Sequence, residues 1–265
     1  ETMIKQAKGN AEKEENISSI ISLSADNEEH KYLVFVTKNG VIKRTELSEF
    51  DNIRKSGKIA ITLKEDDELI YVGVTTGNDE IAIGANNGRM VRFNEDEVRV
   101  MGRSASGVKG IELEDSKVIG AEVIKPNQLI LIVTENGYGK KSEIEEYRLT
   151  HRGSKGVKAL NITDKNGMMV ALKCVNPDDD YDLMIMTDSG IIIKLPLEQV
   201  STLKRATQGV RLINLKEDQK VSTVAVVEKE ETEESTESTG EEAESVPVEK
   251  DISSEEKTQN TENDA

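Results

Sequence analysis

The sequence has no tryptophan, one cysteine, two histidines and four prolines, and aromatic residues make up 3% of its 265 positions. Each scarcity closes off a class of protein. A lone cysteine, Cys174, cannot build an internal disulfide framework and suits a reducing compartment. His30 and His151 are too few for a His-rich zinc site. The longest clean apolar run, residues 129–133, is far short of the ~20 residues a membrane helix needs, so no segment reads as a span. No basic-then-apolar leader opens the chain, and Glu1 is not an initiator methionine. The chain therefore reads as a piece of a longer polypeptide.

Acidic residues outnumber basic ones, 51 to 35, for a net charge of −16. That charge is unevenly spread. Residues 228–265 hold 15 acids and 3 bases, a net of −12, which leaves −4 for everything before them. The segment is Glu, Ser and Thr with few large apolar side chains. It cannot bury enough surface to offset its ordering entropy, so disorder is expected. It reads either as a solubilising tail or as a polyanion that competes for a basic surface on its own body.

The body repeats. LVFVTKNGVIKRTEL (33–47), IAIGANNGRMVRFNE (81–95), LILIVTENGYGKKSEI (129–144) and LMIMTDSGIIIKLPL (183–197) share one grammar: an apolar strand, a tight turn, a second strand. The turns are Asn39-Gly40, Asn87-Gly88, Asn136-Gly137 and Ser189-Gly190. Asn-Gly between apolar runs is the strongest short hairpin signal, because both positions tolerate φ > 0. A second glycine follows each turn: Gly57, Gly107, Gly156 and Gly209, at offsets of 17, 19, 19 and 19. Each repeat is then expected to add a closing strand pair, such as 59–63 with 69–74 and 110–113 with 118–123. Residues 143–147 and 197–200 read as single helical turns.

A period near 50 built from four short strands indicates an all-β, propeller-like array of four-stranded blades. The expected blades are 28–76, 77–125, 126–179 and 180–227. Residues 1–27 read as the end of a truncated preceding blade, with Gly9 as its second glycine. The lack of tryptophan argues against the WD and kelch repeat types.

Cations recur in phase with the repeat. Four residues after each turn glycine stand Arg44, Arg92, Lys141 and Lys194, with Lys43 and Lys140 beside two of them. Just before the second glycines come Arg54 (with Lys55), Arg103, Arg152 (with Lys155) and Arg205; just after them come Lys58, Lys109, Lys158 and Arg211. Any single one of these is an ordinary solvated strand end. In a closed array, however, one repeat position maps to one ring, so the set predicts a basic belt. Such a belt suits a long, regularly charged polymer such as duplex DNA, with glycine-flanked loops letting backbone N–H groups approach phosphate. The few aromatics argue against single-strand stacking. Carboxylate groups such as Asp66-Asp67 and Asp178–Asp180 fall in turn-like stretches and bring no nucleophile or base together.

With these residues in view, the chain resembles the C-terminal domain of bacterial DNA gyrase A. The resemblance is carried by TKNGVIKRTELSEFDNIRKSGKIAITLKEDDEL (37–69), RMVRFNEDEVRVMGRSASGVKGIEL (89–113), VTENGYGKKSEIEEYRLTHRGSKGVKALNIT (133–163) and IKLPLEQVSTLKRATQGVRLINL (193–215), with MGRSASGVKGI the most specific phrase. It implies a β-pinwheel, a propeller variant whose blades exchange strands. It also implies that duplex DNA bends around the basic perimeter, so that a cytoplasmic, nucleoid-associated holoenzyme with gyrase B and a second gyrase A introduces negative supercoils. ATP and Mg2+ would act elsewhere in that holoenzyme, and no cofactor is expected here. The cleavage tyrosine belongs to a different domain, so no catalytic residue and no activity of its own is expected of this chain. The family's Arg/Gly heptad is approached only at residues 150–156, which keep Arg152, Gly153, Lys155 and Gly156; this reads as a degenerate copy. The alternatives are the corresponding domain of topoisomerase IV and a protein-binding propeller.

Overall fold

In the computed structural model, the described residues are 30–51, 57–216 and 218–229, together with the backbone of two earlier strands, Thr2–Gln6 (β1) and Asn16–Ile21 (β2). The expected acidic tail from residue 230 onward, and Arg54 and Lys55, lie outside them. Among the described residues every regular element is a strand or a short 3-10 turn. No helix among the described residues is long and apolar enough to cross a membrane.

The turn glycines organise everything. Gly40, Gly88, Gly137 and Gly190 all have φ near +80°, as a tight hairpin requires. Each sits between two antiparallel strands: β3 (Tyr32–Thr37) and β4 (Val41–Glu46), β6 (Glu80–Ala85) and β7 (Arg89–Asn94), β10 (Leu129–Thr134) and β11 (Tyr138–Glu143), β14 (Tyr181–Thr187) and β15 (Ile192–Pro196). A third strand pairs with the first of each hairpin: β5 (Leu69–Thr75), β9 (Val118–Ile124), β13 (Met169–Val175) and β17 (Val221–Glu228). Here the alternating Val, Ile and Leu of the sequence become buried strands.

The fourth strand departs from the sequence expectation. Residues 59–63 and 110–113 are not strands. Instead, two residues immediately after the second glycine cross to the preceding sheet. Val108–Lys109 (β8) pairs with β4, Val157–Lys158 (β12) with β7, and Val210–Arg211 (β16) with β11. The reason is local. After two paired residues the chain wraps over the hairpin tip, and the amides of Gly110 and Ile111 both donate to the Gly40 carbonyl. Ala159 and Leu160 do the same to Gly88, and Leu212 and Ile213 to Gly137. Three sheets thus have four strands and the last, β15-β14-β17, has three.

Apolar clusters lie between successive sheets. One joins Val34 and Ile42 to Ile81, Phe93 and Val98; the next joins Met90 to Ile130, Ile144 and Tyr147; a third joins Leu131 and Val133 to Leu183, Ile185 and Val224. Burying each such side chain is worth about 1.5–3 kcal/mol. Because each of these three clusters draws on two neighbouring sheets, much of the stability is shared across junctions; a fourth cluster, of Leu33, Phe35, Leu69 and Val72, lies on the first sheet alone.

Candidate nucleic-acid interface

Four of the six cations at and beside the hairpin exits correct the simplest form of the belt. Lys43 and Lys140 are 0% exposed, and Arg44 and Lys141 are nearly as buried. Successive strand residues face opposite ways, and both faces of β4 and β11 are covered here, so neither member of each pair reaches the rim. Arg44 pairs with the fully buried Glu95 at 3.3 Å and lies over the Tyr32 ring at 4.7 Å. Arg92 pairs with Glu80 at 2.5 Å and donates to the carbonyls of Ile144 and Tyr147. Lys141 donates to the Leu197 carbonyl at 3.0 Å. These residues hold the 3-10 turns of the next sheet, at Glu95–Glu97, Ile144–Glu146 and Leu197–Gln199. Lys194 stays exposed and pairs with Asp182 at 2.9 Å.

Lys43 and Lys140 support the loops that carry the remaining cations. The Lys43 ammonium donates to the Ala60 and Arg103 carbonyls, and that of Lys140 to the Lys204 and Arg205 carbonyls at 2.8 and 2.5 Å. Burial, reinforced by the nearby arginine charge, lowers each lysine to about 8. Sequence periodicity could not show this, because Val91 and Ile193 occupy the equivalent place in the other two hairpins.

The described loop cations sit in a series of mutually linked loops, here the loop strip. Each arginine four residues before a second glycine reaches back to the carbonyl two residues after the previous one. Arg103 donates to Ile59, Arg152 to Lys109 at 3.0 Å, and Arg205 to Lys158 at 2.8 Å. The chain from loop to loop is thereby continuous. Lys58 bonds the carbonyls of Glu49 and Asp51. The loop resembling the Arg/Gly heptad is firmly held. Arg152 also donates through Nε to the Glu97 carbonyl at 2.8 Å, and the Gly153 amide donates to Gly110 at 2.6 Å. Gly153 and Gly156 both need positive φ, and a Cβ on Gly156 would stand 2.2 Å from the Met90 carbonyl oxygen.

A groove in this strip is lined by Glu146, Arg148, Gly156, Val157, Lys158 and Arg205. At the preceding junction the same register positions carry Glu97, Arg99, Gly107, Val108, Lys109 and Arg152. Arg99 and Arg148, both exposed, were missed in the sequence. Each stands eight residues before its second glycine, but Ser201 holds that place in the last repeat, so only two repeats show the signal. A second groove gathers Lys165, Arg211 and Lys216 around Tyr138, whose hydroxyl accepts from Arg211 at 2.9 Å.

Carboxylates neutralise part of the strip. Lys109 pairs with Glu112 at 2.5 Å, Lys155 with Glu114, and Arg103 with Glu49 at 3.5 Å. Lysine contact holds the Glu112 and Glu114 carboxyls below their usual range. Where repeat two has Glu112, the next two have Asn161 and Asn214, which accept from Lys158 and Arg211 without cancelling their charge. Among the described residues no carboxylate forms an ion pair with Arg148, Lys158, Arg205 or Arg211.

The family model described as "DNA gyrase C-terminal domain, beta-propeller" matches the chain four times, over residues 31–76, 79–125, 128–176 and 181–228. The chain belongs to this family. DNA gyrase A of Halalkalibacterium halodurans is 57% identical over 223 residues, covering 84% of this chain and 26% of the relative. DNA gyrase A of Staphylococcus epidermidis is 44% identical over 83% of this chain and 25% of its own length. The chain thus spans about a quarter of the length of the curated relatives it matches. Among solved structures, the C-terminal domain of DNA topoisomerase IV aligns with a TM-score of 0.74 at 28% identity, over 82% of this chain and 68% of that one. The DNA gyrase A C-terminal domain aligns at 0.69 and 24% identity, over 82% and 72% respectively, a likeness of fold.

Proposed function

We propose that this chain is the DNA-binding and DNA-wrapping domain of a gyrase A protein, and that the loop strip is its phosphate track. One observation carries this reading: the arginine–lysine–arginine set that lines the groove, Arg148–Lys158–Arg205, has its counterpart Arg99–Lys109–Arg152 at the same register positions of the preceding junction. Such a repeat matches a polymer of evenly spaced charges better than any small ligand. The curated relatives favour gyrase over topoisomerase IV. In the assembled cytoplasmic enzyme, built from two copies each of gyrase A and gyrase B, the wrap would present a second duplex segment for ATP-driven strand passage. The cleavage and ATPase chemistry, with its Mg2+, would lie outside this chain.

The test is the affinity for a random-sequence duplex across a salt series. Binding should weaken with a slope of roughly −0.9 per phosphate contacted. The double variant Arg148→Glu, Lys158→Glu, changed at exposed positions, should lose affinity at least tenfold and show a shallower slope. Equal affinity and equal slope would overturn the assignment.

A further inference from the structure

The hairpin tips that a crossing segment wraps differ in charge. At the first, Val41 follows the turn, the Asn39 amide donates to the Asp67 carboxylate at 2.9 Å, and Lys109 of the crossing segment is tied to Glu112. At the second, Arg89 follows the turn and donates to the Gly156 carbonyl at 3.3 Å. At the third, Tyr138 takes that place, and the groove around it brings together Lys165, Arg211 and Lys216 with the amide side chains of Asn136, Asn214 and Gln219. None of the described residues lining this groove is acidic; Asp164 and Asp218 are close in sequence but do not line it.

Each of the three cations is held in place. Tyr138 is 7% exposed, so its hydroxyl is a fixed acceptor, and it takes hydrogen bonds from Nε and Nη2 of Arg211 at 3.2 and 2.9 Å. Nη1 of the same guanidinium donates to Asn214 at 3.2 Å. The Arg211 guanidinium and the Lys165 ammonium both lie over the Tyr138 ring, 5.5 and 5.8 Å from its centroid. The Asn136 side chain donates to the carbonyls of Asp164 and Lys165, both at 3.3 Å, which ties the Lys165 loop to the turn. The Gln219 side chain accepts from the Lys216 amide at 3.1 Å. Like charges gathered this way repel one another, and an anion seated among them relieves that repulsion.

We propose that this groove binds a backbone phosphate of duplex DNA, and that Tyr138 is the residue that positions Arg211 to grip it. The proposal rests on the DNA-binding reading above and carries the phosphate track from the loop strip onto the third hairpin tip. Arg211 links the two, because it stands at the register position of Lys109 and Lys158. Its geometry suits the ligand. Each terminal nitrogen donates once, to Tyr138 or Asn214, and keeps a second N–H. Those two hydrogens form the fork that holds two oxygens of one phosphate, while Lys165 and Lys216 add charge on either side. The groove, of about 250 Å³, is smaller than the ~300–1,000 Å³ usual for a small-molecule site, so it suits a single phosphate better than a whole nucleotide.

Fluorescence anisotropy with a labelled random-sequence duplex, across a salt series, tests this on the 265-residue chain. The double variant Lys165→Gln, Lys216→Gln, changed at exposed positions, should bind several-fold more weakly at low salt, with a salt slope shallower by about 0.9, the value of one phosphate. Tyr138→Phe keeps the ring and removes the acceptor, and it should also weaken binding several-fold. Added to Arg211→Gln it should cost nothing further, because the hydroxyl acts only through that guanidinium. A hydroxyl with a merely structural role would cost the same in both backgrounds, and that result overturns the positioning role. Unchanged affinity and slope in the double lysine variant overturn the site. The Arg148→Glu, Lys158→Glu variant separates the two readings. If it loses affinity while the groove variants do not, only this proposal falls; if it too keeps its affinity, the DNA-binding reading falls with it.

Discussion

The ammonium of Lys140 lies 2.5 Å from the carbonyl oxygen of Arg205, 65 positions further along the chain. Lys43 stands in the same relation to Arg103. In both cases a buried charge on one sheet fixes the loop that presents an arginine to solvent. The cost falls on the charged form of the lysine, and the benefit is a loop whose backbone cannot drift.

That cost has a sign that can be measured. Both lysines are lowered to about 8 by burial, against 10.5 for the free side chain. Below pH 8 the folded and unfolded chains carry the same protons and the desolvation penalty is fully felt. Between pH 8 and about 10.5 the unfolded chain holds the extra proton, so stability rises with pH. Arg103 and Glu49 act on Lys43, and Glu146 and Arg205 on Lys140, the arginines deepening the shift and the glutamates opposing it. After discounting for water near the ammonium, the gain by pH 9.5 should be on the order of 1 kcal/mol per lysine. Urea unfolding at pH 7.5 and 9.5 should show that gain, and the double variant Lys43→Met, Lys140→Met should flatten it.

The two kinds of second glycine make a matched pair. Alanine at Gly156 meets both an unfavourable φ and the Met90 backbone at 2.2 Å. Alanine at Gly57 meets the same φ and open space. Gly57→Ala should cost about 1 kcal/mol and Gly156→Ala about 3 kcal/mol or more, read from denaturant midpoints. Similar losses at both sites would mean that the crossing strand is not packed as described.

Glu95 provides the third test. Its carboxylate takes Arg44, the Thr75 hydroxyl and the amides of Gly77 and Asp79, all inside one sheet junction. Glu95→Ala strands a buried guanidinium and two amides and should cost about 3–5 kcal/mol. Glu95→Gln keeps an acceptor oxygen and should lose markedly less. Thermal melts of the two variants separate the charge from the hydrogen bonds.

The hairpins were legible in the sequence because they are local: an Asn-Gly turn and flanking apolar alternation suffice. Strand exchange was not readable from periodicity, since it pairs Val108 with Ile42 across 66 positions; only the family resemblance implied it. The cations divided on similar grounds. Arg152 and Arg205 sit in glycine-flanked loops, where composition indicates the surface. Lys43 and Lys140 sit on strands, where which face is buried depends on the neighbouring sheet. The recurrence of Arg44, Arg92 and Lys141 reflects the need to hold 3-10 turns, and Lys43 and Lys140 hold loops, as much as any outward charge.

The last test concerns the strip itself. Lys109 and Lys158 occupy equivalent positions, yet Lys109 is held by Glu112 and Lys158 by the neutral Asn161. A phosphate reaching Lys109 must first displace a carboxylate, and that carboxylate then repels it. Glu112→Asn installs the residue that the next two repeats already have. Under the proposed function it should raise duplex affinity several-fold at low salt and steepen the salt slope by up to about 0.9, the value of one more neutralised phosphate. Both changes should fade as salt rises, because the Lys109–Glu112 pair faces solvent and is screened. Fluorescence anisotropy with a labelled duplex at several salt concentrations reads both quantities. A variant that binds no better, with an unchanged slope, would show that DNA does not run past Lys109 and that the track is confined to the Arg148–Lys158–Arg205 side.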